Sequence, residues 1–216
     1  MMWNRMQLQK VWTAKNRKYV GLTFDQIAGE KGTDPWNALM DIIVDEDGYA
    51  RWLSLYHNSF EDMYWPSFAE TLKAPYGCIE SNAPIESPRV VTATSTDPRS
   101  YGIFPLVLGE YVRKRNVVTW EAAIKKMTSD SAKAIGITDR GVLKEGFWAD
   151  VVVFDPKTIA HRANFKNCLE VSLGINHDLY PIGIAYVIVN GVIAAENGRL
   201  AGSMSGQVLR HKVTSA

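Results

Sequence analysis

The stretch Tyr76–Phe104, YGCIESNAPIESPRVVTATSTDPRSYGIF, decides how the rest of the chain is interpreted. A short apolar run ends in a polar cluster at positions 80–82. A long loop rich in Pro, Ser and Thr follows and closes on Asp-Pro-Arg at 97–99. In α/β barrels, polar residues that follow a strand face the mouth of the active site, so the pattern predicts a functional loop. An ordinary solvated loop is the alternative that a polar composition leaves open.

Upstream of this stretch the sequence alternates between strand-like and helix-like segments. Polar and apolar residues alternate over 5–11, which predicts a strand with its preceding barrel strands missing, and the pattern becomes helical from Leu22. Asp34 and Pro35 are typical of a helix start. The order of strand-like and helix-like segments predicts an α/β fold with about three parallel strand-helix units, including a buried strand through Cys78. A closed barrel takes about 250 residues, so only part of one fits here.

Two side-chain sets in the helix from Pro35 carry expectations of their own. Its apolar positions recur at helical spacing and predict a buried stripe that includes Trp36, Leu39 and Met40. The acidic run at 45–47 lies at the end of the same helix. Those three carboxylates are too close together to form a ligand cage, so we expect them to be solvated.

Downstream of the loop the pattern changes from helices to strands. Segments 106–115 and 119–135 are helical, with Thr119 as an N-cap. Residues 148–154 and 208–213 are strand-like, and 186–195 reads as a hairpin, because Asn190-Gly191 is the preferred pair for a type I′ turn. The sequence therefore predicts a small β-sheet appendage after Gly136.

Composition excludes several classes of function. The net charge is +1, which offers no concentrated basic patch for nucleic acid or an anionic membrane. Two cysteines do not make a disulfide framework, and no segment has the apolar length of a signal peptide core or a membrane span. We therefore expect a cytoplasmic protein with no nucleic-acid or membrane partner.

Two long segments, 97–156 and 184–210, resemble the C-terminal portion of N-acyl-D-amino-acid deacylases (D-aminoacylases) of the amidohydrolase superfamily. The first contains GVLKEGFWADVVVF at 141–154, which is similar to a motif found beside the barrel in many amidohydrolases. The resemblance implies that residues 1–136 are the C-terminal part of a TIM-type (β/α) barrel and that 137–216 form a small β-sandwich segment. It gives Gly141 and Gly146 a role in turns and Asp150 a structural hydrogen-bonding role.

The same resemblance assigns two site residues. Where the family has an aspartate in a Ser-Asp-Ala type of motif, this chain has Asn82, and where the family loop ends in His-Pro-Arg, it has Asp-Pro-Arg with Arg99 kept. Asn82 cannot exchange a proton at neutral pH, so we expect it to be non-functional in catalysis. A shifted register, with Glu80 or Glu86 in that role, stays open. Arg99 is expected to bind the carboxylate of an N-acyl amino acid, with an ion pair to Asp97 or Glu86 as the alternative.

The resemblance implies zinc as the family's cofactor, yet the expected ligand set does not fall on this sequence. The family's ligands are a His-x-His pair, a cysteine and later histidines, all upstream of the matched positions. The histidines here are isolated, so we expect none of them to bind a metal and the chain alone to bind no zinc; they are His57, His161, His177 and His211.

Three hypotheses for function follow from the resemblance. In the first, the chain is the C-terminal portion of a hydrolase that cleaves linear amides, converting an N-acyl-D-amino acid to a D-amino acid and a carboxylate with metal-activated water. In the second, it is a catalytically inactive, degenerate protein. In the third, it is a split half that needs a partner chain, either an N-terminal half or further copies of itself, to cover its exposed apolar strands.

Overall fold

The computed structural model of the chain describes residues 3–54, 60–83, 98–172, 175 and 178–210. These residues form two compact units that are interleaved along the chain. The first comprises residues 3–54, 60–65, 98, 164–172 and 175, and the second comprises 66–83, 99–163 and 178–210. The expected domains 1–136 and 137–216 stay a prediction.

The regular elements of the described residues are short strands and short helices, which occur in runs rather than in strict alternation. In chain order they are β1 (Met6–Lys10), α1 (Phe24–Lys31), α2 (Pro35–Asp45), β2 (Arg51–Ser54), α3 (Phe60–Lys73), α4 (Arg99–Leu106), a π-helix (Val107–Lys114), α5 (Trp120–Met127), α6 (Ser129–Ala134), β3 (Val151–Phe154), α7 (Phe165–Ser172), β4 (Ile184–Val189), β5 (Val192–Glu196) and β6 (Arg199–Leu200). Single 3-10 turns cover Trp3–Arg5 and Arg17–Tyr19.

Local sequence signals set the ends of the first helices. The Asp34 carboxylate accepts hydrogen bonds from the backbone N–H groups of Trp36 (3.0 Å) and Asn37 (3.1 Å), and Pro35 is the first helical residue, which confirms the predicted start of α2. Thr23 caps α1 in a reciprocal capping box with Gln26. These caps satisfy backbone donors that a helix leaves open at its N-terminus.

β1 and β2 form a two-stranded antiparallel sheet, so the expected parallel order is wrong for this pair. The sheet packs with α1 and α2 around a core that includes Leu8, Phe24, Ile27 and Ile42, each without exposed surface. The predicted buried stripe of α2 is only half right, because Leu39 is buried whereas Trp36 and Met40 are exposed. With two small helices on one sheet, the core is narrower than the apolar stripe of α2.

The acidic run at the end of α2 is not uniformly solvated, and the expectation for Glu46 was wrong. Its side chain is only 4% exposed. One carboxylate oxygen accepts from the N–H groups of Trp12 (2.6 Å) and Thr13 (3.0 Å), and the other from the Thr13 hydroxyl and from Asn16 Nδ2 (2.9 Å). Glu46 therefore ties the loop after β1 to the end of α2, a contact that no local pattern encodes.

In the second unit, β3, β4, β5 and β6 form one antiparallel sheet in that order. The Asn190-Gly191 turn has φ values of 51° and 80°, which confirms the predicted hairpin between β4 and β5. The strand predicted over 208–213 is wrong for 208–210, which lie outside any strand, while 211–213 lie outside the described residues. The fourth strand is β6 instead, and a β-sandwich stays a prediction.

The helices of the second unit bury a separate set of apolar side chains. Phe68 of α3 contacts Tyr111 of the π-helix edge to face with 4.9 Å between ring centroids, and Trp120 stacks on Phe154 at 5.9 Å. The Thr119 hydroxyl accepts from the Ala122 N–H at 3.2 Å, which confirms the predicted cap of α5. In the part of the chain that the structure describes, no helix combines the length and the apolar character that crossing a bilayer requires.

Candidate functional site

The segment that carries the predicted site, 77–83, has no regular secondary structure and pairs with none of the described strands. It is held instead by α5. The Ile79 N–H donates to the main-chain oxygen of Lys126 (3.2 Å), and Lys126 Nζ donates to the carbonyls of Gly77 (2.9 Å) and Ala74. The strand expected through Cys78 is therefore wrong, and Cys78 is exposed rather than buried. Lys126 is only 7% exposed. Its hydrogen bonds hold this segment in place, where pairing with a neighbouring strand was expected.

Asn82 lies at the exposed end of the segment in the left-handed region, with φ of 44°. Asparagine tolerates that conformation better than most residues. Its N–H donates to the Glu80 carboxylate at 2.8 Å, and the Ala83 N–H donates to the Ser81 hydroxyl at 3.1 Å. These two local hydrogen bonds stabilise the backbone of residues 80–83. The Asn82 amide has no titratable proton at this position.

Arg99 is the first residue of α4 and is half-buried. Its expected acidic alternatives, Asp97 and Glu86, lie outside the described residues, so that choice stays open. Three residues later the helix is distorted at Gly102, with φ of −157° and ψ of 25°. A Cβ at Gly102 would lie 2.9 Å from the His161 Cβ, so only glycine fits this close approach without a shift. The start of α4 is thus packed directly on the segment around His161.

A cavity of about 610 Å³ lies beside the start of α4, within the second unit. Its walls are mainly apolar and include Ile103, Leu108, Phe154, Ile184 and Val187. Arg99 and Ser81 also line it, so the structure brings these two residues to one cavity, whereas Asn82 is not among the lining residues. Pockets of this volume with apolar walls and a few polar groups are typical of small-molecule sites.

The model of the amidohydrolase family matches residues 85–195, which is just over half of the chain. The chain belongs to the amidohydrolase family. This confirms the resemblance inferred from the motifs at 97–156 and 184–210.

Individual relatives show which members of the family this chain resembles. The chain is 46% identical over 94 residues to an N-acyl-D-glutamate deacylase of Alcaligenes xylosoxydans xylosoxydans, and 39% identical over 112 residues to a D-aminoacylase of the same organism. These alignments cover 44% and 52% of this chain but only 17% and 21% of the relatives. The chain therefore matches about a fifth of each relative's length.

Solved structures give the same picture over nearly the whole chain. A crystal structure of D-aminoacylase superposes with a TM-score of 0.74 at 26% identity, covering 96% of this chain and 38% of that one. The N-acyl-D-glutamate deacylase from Bordetella bronchiseptica, solved with zinc and a phosphonate that mimics the tetrahedral intermediate, gives 0.70 at 29% identity, covering 97% and 38%. The likeness to solved amidohydrolases thus covers nearly all of this chain.

Zinc is present in that solved deacylase, and D-aminoacylase has a binuclear metal centre. Within the described ranges of this amidohydrolase chain, no three His, Cys, Asp or Glu side chains come together as a metal group. His161 is half-buried beside Gly102, and the other three histidines lie outside the described residues. The described side chains therefore do not fit the zinc centre of the relatives.

The motif at 141–154 has the structural role expected of it. Gly141 and Gly146 have φ of 81° and 83°, as turns with positive φ require. Asp150 accepts from the Asn190 N–H at 2.8 Å and from Arg140, so it ties the entrance of β3 to the β4–β5 turn. Burial would raise the pKa of Asp150, but the Asn190 N–H and the Arg140 guanidinium outweigh it and lower the pKa.

Sequence reasoning missed two members of the site. Lys126 holds the segment 74–79, and Ser100 lines the cavity with a buried hydroxyl that makes no hydrogen bond within the described residues. Neither has a distinctive local signal, because Lys126 sits beside an exposed lysine in an ordinary helix and Ser100 follows an arginine in a loop-like sequence. Only the packing of α5 and α4 against distant segments gives them a role.

Proposed function

We propose that this chain is the C-terminal portion of an N-acyl-D-amino-acid deacylase and that it contributes the binding of the substrate carboxylate through Arg99. The deacylation itself adds water to the acyl carbon: a C–O bond forms, the C–N bond breaks, and the leaving amine takes up a proton. Two of the relatives are deacylases of N-acyl-D-glutamate and N-acyl-D-aspartate. The presence of Arg99 among the residues that line a mainly apolar cavity is the observation that carries the proposal.

A guanidinium suits this role because its planar fork can donate two parallel hydrogen bonds to a carboxylate. Arg99 is half-buried, so a carboxylate there is partly shielded from water and is bound more strongly than at an open surface. The guanidinium carries five N–H donors in a fixed geometry, so one side chain can contact the protein and a carboxylate at once.

Whereas Arg99 supports substrate binding, Asn82 argues against catalysis. A general acid or base contributes about 10²- to 10⁴-fold to the rate, and an amide cannot serve as one. The chain is therefore proposed to retain substrate binding and to lack the proton transfer. The second candidate, an inactive or split-half protein that needs a partner chain, is favoured by this change together with the exposed apolar residues Val152, Val153 and Leu200 of the sheet.

The test is calorimetric titration of the chain with N-acetyl-D-glutamate, its L enantiomer and the D compound with its α-carboxylate converted to an amide. We expect the D acid to bind and the α-amide to bind at least about tenfold more weakly, since a hydrogen-bonded charge is lost. Arg99→Gln should weaken the acid by about 10- to 100-fold and leave the α-amide unchanged. Arg199→Gln is the matched control, because Arg199 is exposed on β6 and does not line the cavity.

Equal binding of acid and α-amide, or no effect of Arg99→Gln, would refute the carboxylate role. The partner hypothesis is tested separately by native mass spectrometry of the purified chain, alone and co-expressed with the rest of a related deacylase. A stable heteromeric complex supports the split-half candidate. A monodisperse monomer in both samples contradicts it.

A further inference from the structure

Two Asn-Gly pairs close the hairpin turns of the second unit. Asn190-Gly191 joins β4 to β5, and Asn197-Gly198 joins β5 to β6. Their φ values are 51° and 80° in the first turn and 48° and 76° in the second, so both turns have the conformation that this pair prefers. A Cβ built on either glycine would meet no other part of the described chain within 4 Å. The two turns therefore differ in their hydrogen bonds and burial rather than in sequence or backbone conformation.

The first turn is fixed by three hydrogen bonds to other segments. The Asn190 N–H donates to the Asp150 carboxylate at 2.8 Å, and the Asn190 side-chain Nδ2 donates to the Ser205 carbonyl at 2.5 Å. The Gly191 N–H donates to the Ala149 carbonyl at 2.9 Å. Both the side-chain amide of the asparagine and the backbone nitrogen of the glycine are therefore held in place.

The second turn lacks these restraints. Asn197 and Gly198 are both exposed, and the Asn197 N–H donates to the Ala185 carbonyl at 2.8 Å. In the part of the chain that the structure describes, neither the Asn197 side-chain amide nor the Gly198 N–H has a hydrogen-bond partner. The two groups that are held in the first turn are thus free to react with each other in the second.

The strand that follows the second turn is short. β6 pairs with β5 at two positions, Glu196 with Arg199 and Ala195 with Leu200, and both β6 residues are exposed. Elements with few buried contacts and exposed backbone hydrogen bonds open locally at a low free-energy cost. Opening lets the main chain of the turn rotate, which brings the Gly198 nitrogen within reach of the Asn197 side-chain carbon.

We propose that Asn197 is a site of spontaneous deamidation, with water as the co-reactant. The Gly198 nitrogen attacks Cγ of Asn197 and gives up its proton, the Cγ–Nδ2 bond breaks, and the amide nitrogen takes up a proton and leaves as ammonia. The product is a cyclic succinimide. Water then opens the ring at either carbonyl: a C–O bond forms, a C–N bond breaks, and the ring nitrogen regains a proton. The result is an aspartate or an isoaspartate, without oxidation or reduction.

Isoaspartate at this position should release β6 from the sheet. The main chain of an isoaspartate runs through the side-chain carbon, so the two-residue turn becomes longer by one methylene group. The Glu196–Arg199 pair that the turn closes then loses its register. Because the sheet order is β3-β4-β5-β6, loss of β6 makes β5 an edge strand with unpaired backbone groups. Neither residue of the turn lines the cavity, so the site is independent of the proposed function.

Peptide mapping by mass spectrometry of the full chain, aged in neutral to mildly alkaline buffer, tests the site. We expect conversion at Asn197 to exceed conversion at Asn190 by at least about tenfold, because the reaction follows the population of locally opened conformations. An isoaspartyl methyltransferase with labelled S-adenosylmethionine should label the aged chain, and should label Asn197→Gln aged in parallel far less. Equal conversion at both asparagines, or none at Asn197, would overturn the proposal.

The same ageing in urea separates structure from sequence. Both asparagines precede a glycine, so in the unfolded chain we expect them to convert at similar rates. Loss of the preference in urea would show that the hydrogen bonds of the folded first turn protect Asn190. A preference for Asn197 that persists undiminished in urea would show that local sequence causes it, which contradicts the structural argument.

Hydrogen exchange tests the consequence for β6. The isoaspartate-containing chain, separated by ion exchange, should exchange the amides of residues 199–201 faster than fresh protein, including the Ala201 N–H that donates to the Ala194 carbonyl at 2.9 Å. Asn197→Asp is the matched control, because it carries the new charge without the longer main chain, and it should exchange these amides as fresh protein does. Unchanged exchange in the isoaspartate form would mean that β6 stays paired.

Discussion

At acidic pH, protonation of Glu46 should lower the free energy of unfolding of the first unit. Burial by itself would raise the pKa of this carboxyl group, but the hydrogen bonds from the side chains of Thr13 and Asn16 and from the backbone of Thr13 and Trp12 outweigh it. They lower the pKa from 4.5 to about 2. A folded-state pKa below the unfolded value means that the ionised form stabilises the fold above about pH 4.5. That stability is lost as the pH falls from about 4.5 towards 2.

The size of the effect follows from the shift. A difference of about 2.5 pKa units corresponds to about 3 kcal/mol, and the side chain is only 4% exposed, so solvent screening removes little of it. Glu46→Gln should cost about 3 kcal/mol at pH 7, because its NH₂ group would face other donors in either orientation, the backbone N–H groups of Trp12 and Thr13 or the Asn16 side-chain amide. At pH 3 the wild type has lost about 2 kcal/mol of this contribution, so the variant and wild type should differ by only about 1 kcal/mol.

Urea unfolding followed by tryptophan fluorescence at pH 7, 5, 4 and 3 measures this difference directly. Comparison of the two proteins at each pH removes the contribution of the other carboxylates with lowered pKa values. Glu30→Gln is the matched control, since Glu30 is exposed in α1, and it should differ little from wild type at any pH. A constant difference between wild type and Glu46→Gln from pH 7 to pH 3 would refute the reasoning.

Two further stability predictions use matched pairs. Gly183→Ala should lower the free energy of unfolding by at least about 2 kcal/mol more than Gly198→Ala, as measured by thermal or urea unfolding. Both residues have positive φ, but only a Cβ at position 183 would press against Ile159. Equal losses of stability would mean that the backbone shifts to accommodate the added Cβ at position 183. Lys126→Met should speed amide hydrogen exchange over residues 74–79 and lower the free energy of unfolding by about 1 to 3 kcal/mol, because two carbonyls lose their donor. Lys125→Met at the exposed neighbouring position should do neither. Unchanged exchange in Lys126→Met would show that other contacts hold the segment.

Local sequence signals predicted the elements whose ends depend on neighbouring residues. The cap of α2 at Asp34, the cap of α5 at Thr119 and the Asn190-Gly191 hairpin were all found as expected. Each depends on backbone geometry within about four residues, which the sequence expresses directly. The strand predicted through Cys78 failed because a strand needs a partner, and pairing is decided by distant segments.

For the candidate site, the sequence by itself determined the chemistry of single positions. Position 82 carries an amide without a titratable proton and position 99 a guanidinium with paired N–H donors, while their match to the family's aspartate and arginine stays a prediction. Only the tertiary structure decided that Arg99 and the buried Ser100 hydroxyl share an apolar cavity, that Lys126 holds the segment leading to Asn82, and that Glu46 is buried among four donors. The physical reason is that burial and hydrogen-bond partners arise from contacts between residues far apart in the chain, whereas a side chain's functional groups are given by its identity.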